Sequence, residues 1–289
     1  MKKLFDIYQI DAFTDEPFQG NSAGVVYFDE LSDKDMQSIA REMNVSETAF
    51  LSKSDKADFN LRWFTPKVEV KLCGHATIAS IHYLVERGIV KKNTEVSFNT
   101  LSGILKSKCE DDLYYLNLPI PKIEKFEGKR EEILEAISIN LESIHTNFPF
   151  LIADKSYLYI YVKSLESLRE ISPNFTALKN LTDAKKEFEA VTVFTTETFL
   201  KNYTAHLRFF APYFGIDEDP VTGSANGPLL LVLKELGLIG KNIDDNTFSF
   251  EQGDFVGRKG RVKVTYSAAK NKLVIAGKAI TILKGEIIF

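Results

Sequence analysis

Arg62-Trp63-Phe64-Thr65-Pro66, followed by Gly74-His75-Ala76 and then Leu84, Glu86 and Gly88, has a second copy later in the chain. That copy reads Arg208-Phe209-Phe210-Ala211-Pro212, Gly223-Ser224-Ala225, then Leu233, Glu235 and Gly237. Three extra residues separate proline from glycine in the second copy, after which the register holds to the final glycine. Repetition at about half the chain length indicates two similar domains rather than a short-period solenoid. Each copy opens a helix that is apolar on nearly every side, with Ile78, Ile81 and Leu84 in one and Leu229, Leu230 and Leu233 in the other. Such helices must be enclosed, here by sheet strands. A glycine in the first turn exposes backbone N–H groups where the helix dipole is positive. Two such ends on paired domains predict an anion-binding cleft between them.

Outward from the repeat, residues 5–13 and 25–28 read as strands joined by a polar loop at 14–24. Ser32 and Asp35 resemble a capping box ahead of a helix that buries Met36, Ile39, Ala40 and Met43. Residues 48–51 and 59–64 return to strand character, and Gly88 and Gly237 stand where left-handed helix caps are expected. Residues 119–130, charged and proline-bearing, read as the linker. Beyond them Ile133, Leu134, Ile137 and Leu141 predict an amphipathic helix. The expected fold class is α+β, with two pseudo-symmetric domains from an internal duplication. Their limits are 1–120 and 121–289, with a last strand at 279–289 that could return to the first domain.

Composition narrows the function. The chain has 289 residues, 44% of them hydrophobic, with 22 Phe and 11 Tyr, enough for two cores. A formal charge of −4 gives no footprint for nucleic acid. Asp6 and Asp11 interrupt the apolar start, so no signal peptide is expected, and the longest aliphatic run, 229–233, cannot span a bilayer. Two cysteines, Cys73 and Cys109, make neither a disulfide framework nor a structural zinc site. His75, His82, His145 and His206 lack ligand spacing, so no metal is expected. No G-x-G-x-x-G opens a helix after a strand, which leaves a dinucleotide fold without support. The expectation is a cytoplasmic protein without cofactor, membrane or nucleic-acid partner, assembled as a homodimer.

Gly74 and Gly223 either ease tight turns or hold a carboxylate, and their repetition favours the second role. His75 sits in a first helical turn, where the dipole predicts a neutral imidazole able to donate and accept. Asp219, just before the second helix, is either a turn residue or part of the same mouth. Glu47 heads the apolar stretch 48–51 and is either a solvated edge or a buried acid.

Five blocks together closely resemble the PhzF-like (phenazine biosynthesis-like) isomerase family. They are Asp11-Ala12-Phe13-Thr14 with Gly20-Asn21-Ser22-Ala23-Gly24-Val25, Ser46-Glu47-Thr48-Ala49-Phe50, Arg62-Trp63-Phe64-Thr65-Pro66, Cys73-Gly74-His75-Ala76-Thr77, and Asp219-Pro220-Val221-Thr222-Gly223-Ser224-Ala225. Gln252-Gly253 and Gly257-Arg258 resemble the family's late block, so nearly the whole chain is covered. The resemblance implies a diaminopimelate-epimerase-like fold, each domain a curled mixed sheet around a central helix. By position it implies Glu47 as the proton-transferring acid/base, with His75 and Asp219 assisting. It also implies Asn21, in the matching N-terminal loop, with Ser46, Gly74, Gly223 and Ser224 as substrate-holding residues. Ser22 departs from the proline common after that asparagine, which bears on loop rigidity.

The expected function is a cofactor-independent isomerase moving a proton within a small carboxylated metabolite. Two readings stand beside it: a non-catalytic carboxylate-binding paralogue, and an amino-acid epimerase. Related epimerases of this fold use two cysteines, whereas here Cys73 precedes the first glycine and the second half offers Ser224 instead. Cys73 reads as a small buried residue rather than a nucleophile.

Overall fold

The computed structural model describes residues 4–185 and 187–288, with Ala184 and Lys185 described by their backbone alone. The chain divides into two compact units, Met1–Leu118 with Val274–Phe289, and Pro119–Leu273. Of the two limits left open for the second domain, the shorter holds: the last strand returns to the first unit and the second ends at Leu273. The cause is strand Ala279–Ile288, which pairs antiparallel with Leu4–Ala12, from Leu4 against Ile288 to Ala12 against Ala279.

In the first unit, Leu4–Ala12 forms a hairpin with Asn21–Tyr27, which runs parallel to Glu47–Lys53. Glu47–Lys53 is antiparallel to Phe59–Phe64, which in turn pairs with the short Glu69–Val70 and runs parallel to Glu95–Thr100. A hairpin to Gly103–Glu110 follows, and then Leu113–Leu118. The helix Gly74–Glu86 packs on these strands and buries ten of its thirteen residues. Its buried Ser80 hydroxyl donates to the Ala76 carbonyl one turn back, so it stays paired inside an apolar layer.

The second unit repeats this succession. Leu151–Ala153 and Tyr157–Tyr161 form the hairpin, Ala190–Thr195 runs parallel to the latter, and Ala205–Ala211 is antiparallel. Ile216–Asp219 and Thr247–Gln252 then flank Ala205–Ala211, and Gly260–Ser267 closes the unit. Helix Gly223–Glu235 is its apolar counterpart, again with no acidic residue in its first turn. Both central helices end alike. Gly88 and Gly237 take φ +68° and +70°, and the next residue's N–H reaches back to Leu84 and Leu233.

Local expectations and structure part company at three places. The polar loop is shorter than residues 14–24, because the hairpin register runs down to Ala12 opposite Asn21. Gly20 makes this possible: at φ +63° a Cβ there would lie 2.1 Å from the Ala12 carbonyl oxygen. The linker 119–130 contains a strand, Ile123–Lys125, paired with Leu151–Ala153. Leu141 leaves the amphipathic helix, which stops at Ala136, and is 61% exposed. The capping box forms, with Ser32 and Asp35 bonded reciprocally around the start of helix Asp33–Met43. No helix among the described residues is long and apolar enough to cross a membrane.

Candidate active site

The repeat's arginines fix the chain just ahead of each helix mouth. Arg62 Nε and Nη2 donate to the two carboxylate oxygens of Glu69 at 2.6 and 2.8 Å. Arg208 makes the same fork with Glu218 at 2.8 and 2.7 Å. Both glutamates stand five residues before the helix glycine, so these pairs set corresponding positions in register. At the next position Val70 answers to Asp219, then Cys73 to Thr222, and His75 to Ser224. Strand pairing extends the comparison. Phe50 stands opposite Arg62 and Val193 opposite Arg208, which makes Ala190 the counterpart of Glu47. The chemistry-bearing side chains are therefore not duplicated with the scaffold.

In the first unit, Asn44 ends helix Asp33–Met43 in the left-handed conformation and turns the chain into strand Glu47–Lys53. That strand is paired on both sides, so its first residue is enclosed and Glu47 is only 7% exposed. Side chains in a helix's first turn lie back over its N-terminus. His75 accordingly reaches Glu47, with Nε2 3.2 Å from Oε2. That oxygen is buried. On the other edge of the ring, Asn21 Nδ2 lies 3.1 Å from Nδ1, and Ser46 Oγ donates to Asn21 Oδ1 at 3.1 Å. Ser46, Asn21, His75 and Glu47 thus form one chain of contacts, with Gly74 at the helix start beside it.

Cys73 completes this cluster, its Sγ 3.5 Å from His75 Nδ1 and 4.0 Å from Nε2. Burial, reinforced by the negative Glu47, pushes its thiol up to about 11. Glu47, Cys73 and His75 bring an oxygen, a sulfur and a nitrogen within 4.8 Å of one another. The sulfur lies nearer Nδ1 than Nε2. Histidine spacing alone did not anticipate this convergence, because its oxygen comes from a distant strand.

The expectation of a neutral His75 is corrected. Burial opposes the imidazolium, but the Cys73 sulfur and the Glu47 carboxylate outweigh it and hold His75 well above the ordinary histidine range. A carboxylate in contact outweighs the diffuse field of the helix end.

In the second unit, Asp219 ends its short strand and accepts a very short hydrogen bond from the Thr222 hydroxyl. Gln252, which sequence reasoning placed only in a late block, holds this turn. Its Oε1 accepts from the Thr222 N–H at 2.9 Å and from Asn226 Nδ2 at 2.8 Å, while its Nε2 donates to the Asp219 carbonyl at 2.8 Å. Gly253 beside it, at φ +89°, lets the chain pass where a Cβ would meet the Arg258 and Pro220 carbonyl oxygens at 2.1 and 2.7 Å. Neither Thr222 nor Cys73 caps its helix by a side chain, so the first-turn N–H groups near Gly223 and Gly74 are not used up by a cap. Ser224 Oγ lies 3.4 Å from the Tyr157 hydroxyl, a neighbour that no motif marked.

The structure corrects the setting of Asn21. It stands in a strand, fully buried, rather than in an open loop.

Residues 10–285 match the family model for phenazine biosynthesis-like proteins, PhzC-PhzF. The chain belongs to that family. A relative from Clostridium acetobutylicum, described as an uncharacterized isomerase, is 38% identical, with 100% of this chain and 99% of the relative covered. The crystal structure of a PhzF-family phenazine biosynthesis protein from Bacillus anthracis is 28% identical with a TM-score of 0.89, covering 99% of this chain and 100% of that one. A hydroxyproline epimerase structure from Agrobacterium vitis, 14% identical with a TM-score of 0.65 over 99% of this chain and 93% of that one, shares the fold. The protein is thus an isomerase of the PhzF family with a mixed α/β fold shared with proline racemase-like structures.

Proposed function

We propose that this isomerase moves a proton between two carbons of one small carboxylated substrate, with Glu47 taking the proton and returning it. The supporting observation is the Glu47 carboxylate itself: buried, and 3.2 Å from His75 Nε2. A base so placed is sheltered from solvent, and its neighbour steadies the charge it carries. Ala190 stands at the position of the second unit that corresponds to Glu47, so that position offers no carboxylate base. This favours one base serving both steps over the two-base scheme of an epimerase. His75 orients Glu47 and stabilises charge that develops on the substrate. Asp219, whose carboxylate is fixed by Thr222, assists. Gly74, Gly223, Ser46 and Ser224 hold the carboxylate and other polar groups. The matched helices, arginine forks and strand order further support an internal duplication as the origin of the two units.

The test is a panel of small dienoic and cyclohexadienyl carboxylates in heavy water, followed by NMR. The expected result is a shifted double bond with only partial deuterium incorporation, as a sheltered single base would give. Binding without turnover across the panel would favour a carboxylate-binding protein. Racemisation of an amino acid would overturn the one-base reading.

A further inference from the structure

We propose that Asn21 is a positioning residue that decides which nitrogen of His75 carries the ring proton. Its side chain is fully buried and bonded at both ends, Oδ1 accepting from Ser46 Oγ and Nδ2 facing His75 Nδ1, each at 3.1 Å. An amide N–H can meet Nδ1 only if that nitrogen offers its lone pair. The single proton of the neutral ring then sits on Nε2, the nitrogen 3.2 Å from the Glu47 oxygen. The opposite tautomer would set a bare Nε2 lone pair against a carboxylate and two N–H groups against each other.

The same pair can follow a second proton. When Nδ1 is protonated it needs an acceptor, and an amide supplies one by exchanging Oδ1 for Nδ2. Ser46 then accepts where it had donated, so both of these contacts survive the exchange. The titratable groups facing the ring are Cys73 from its own turn and Glu47 from the neighbouring strand. Cys73 Sγ also lies 3.5 Å from Nδ1, but a thiol donates and accepts only weakly, and Glu47 is at Nε2. Asn21 therefore acts through His75 rather than on a substrate. This inference rests on the geometry of the first unit and not on the proton-transfer reading.

The test is nitrogen-15 NMR of the histidine rings in the full-length protein across a pH titration. His75 is assigned by its loss in His75→Gln. In the parent, the neutral ring should carry its proton on Nε2, with Nδ1 showing the signature of an unprotonated acceptor. Asn21→Asp cannot donate, so its ring should keep a proton on Nδ1 and its titration midpoint should rise by about one to three pH units, the scale of an added adjacent carboxylate. A parent ring with its neutral-state proton on Nδ1 would overturn the proposal, as would a midpoint and tautomer unchanged in Asn21→Asp. Should Asn21→Asp fail to fold, the parent tautomer still decides. Because the readout is spectroscopic, it can fail while Glu47 remains the acid/base, and the reverse also holds.

Discussion

At the scale of single residues, the buried acid and the buried thiol behave differently although they share one cluster. Glu47 heads a central strand and reaches its neighbour through His75, whereas Cys73 is enclosed and keeps its proton because burial and Glu47 both oppose the thiolate. The thiolate is the reactive form of cysteine. In the folded protein at neutral pH, iodoacetamide should therefore leave Cys73 unmodified, with labelling rising only as the pH approaches about 11. Cys109, also buried and also raised by burial, serves as the internal control. Mass spectrometry of the alkylated peptides makes the measurement, and rapid selective labelling of Cys73 at neutral pH would show a nucleophile after all. Glu47 and His75 were legible as residues of interest, but their contact was not. A strand start and a helix start meet only through the tertiary packing that encloses both. The protonation of His75 was misread for the same reason, since the helix end is visible in the sequence and the touching carboxylate is not.

At the scale of elements, the two arginine forks hold the short strands that lead into the central helices. They are not equally buried. The Arg208 side chain is 9% exposed and also donates to the Leu168 and Ile171 carbonyls, each at 2.8 Å, while the Arg62 side chain is 29% exposed and shares itself with Asp33 at the surface. Removing one partner of a buried pair strands the other. Arg208→Leu should cost about 3–5 kcal/mol. Arg62→Leu should cost about 1–2 kcal/mol, the scale of partly hydrated hydrogen bonds. Urea unfolding of the two variants tests this, and equal losses would contradict the burial argument. The repeat made these elements readable in advance, because apolar runs, helix-ending glycines and the capping box at Ser32 all act locally. Asn21 was assigned to a loop because polar residues surround it. Cross-strand pairing with Ala12, which no local pattern encodes, extends the hairpin to include it. The grip of Gln252 on the Asp219–Thr222 turn was equally hidden, since it depends on a strand that arrives from far along the chain.

At the scale of the whole molecule, a repeated scaffold carries an unrepeated chemistry. Glu47 corresponds to Ala190, His75 to Ser224 and Asp219 to Val70, so each unit contributes groups that the other lacks. The sequence revealed the repetition and set His75 against Ser224, but the match of Glu47 to Ala190 emerged only when strand pairing set the two units in register. The sequence left open whether the final strand returns to the first domain; it joins the first unit and closes against Leu4–Ala12, so the domain limit lies at Leu273 rather than at the chain's end. The central claim that follows is that one carboxylate carries the proton. Glu47→Gln keeps the size and polarity of the side chain while removing its basic oxygen. Turnover of a substrate identified from the carboxylate panel should be compared in parent and variant, with ligand affinity measured alongside by calorimetry. Activity should fall by at least about a hundredfold, the scale of general acid–base assistance, while affinity changes far less because the helix ends and Ser46 remain. Equal turnover by parent and Glu47→Gln would contradict the account.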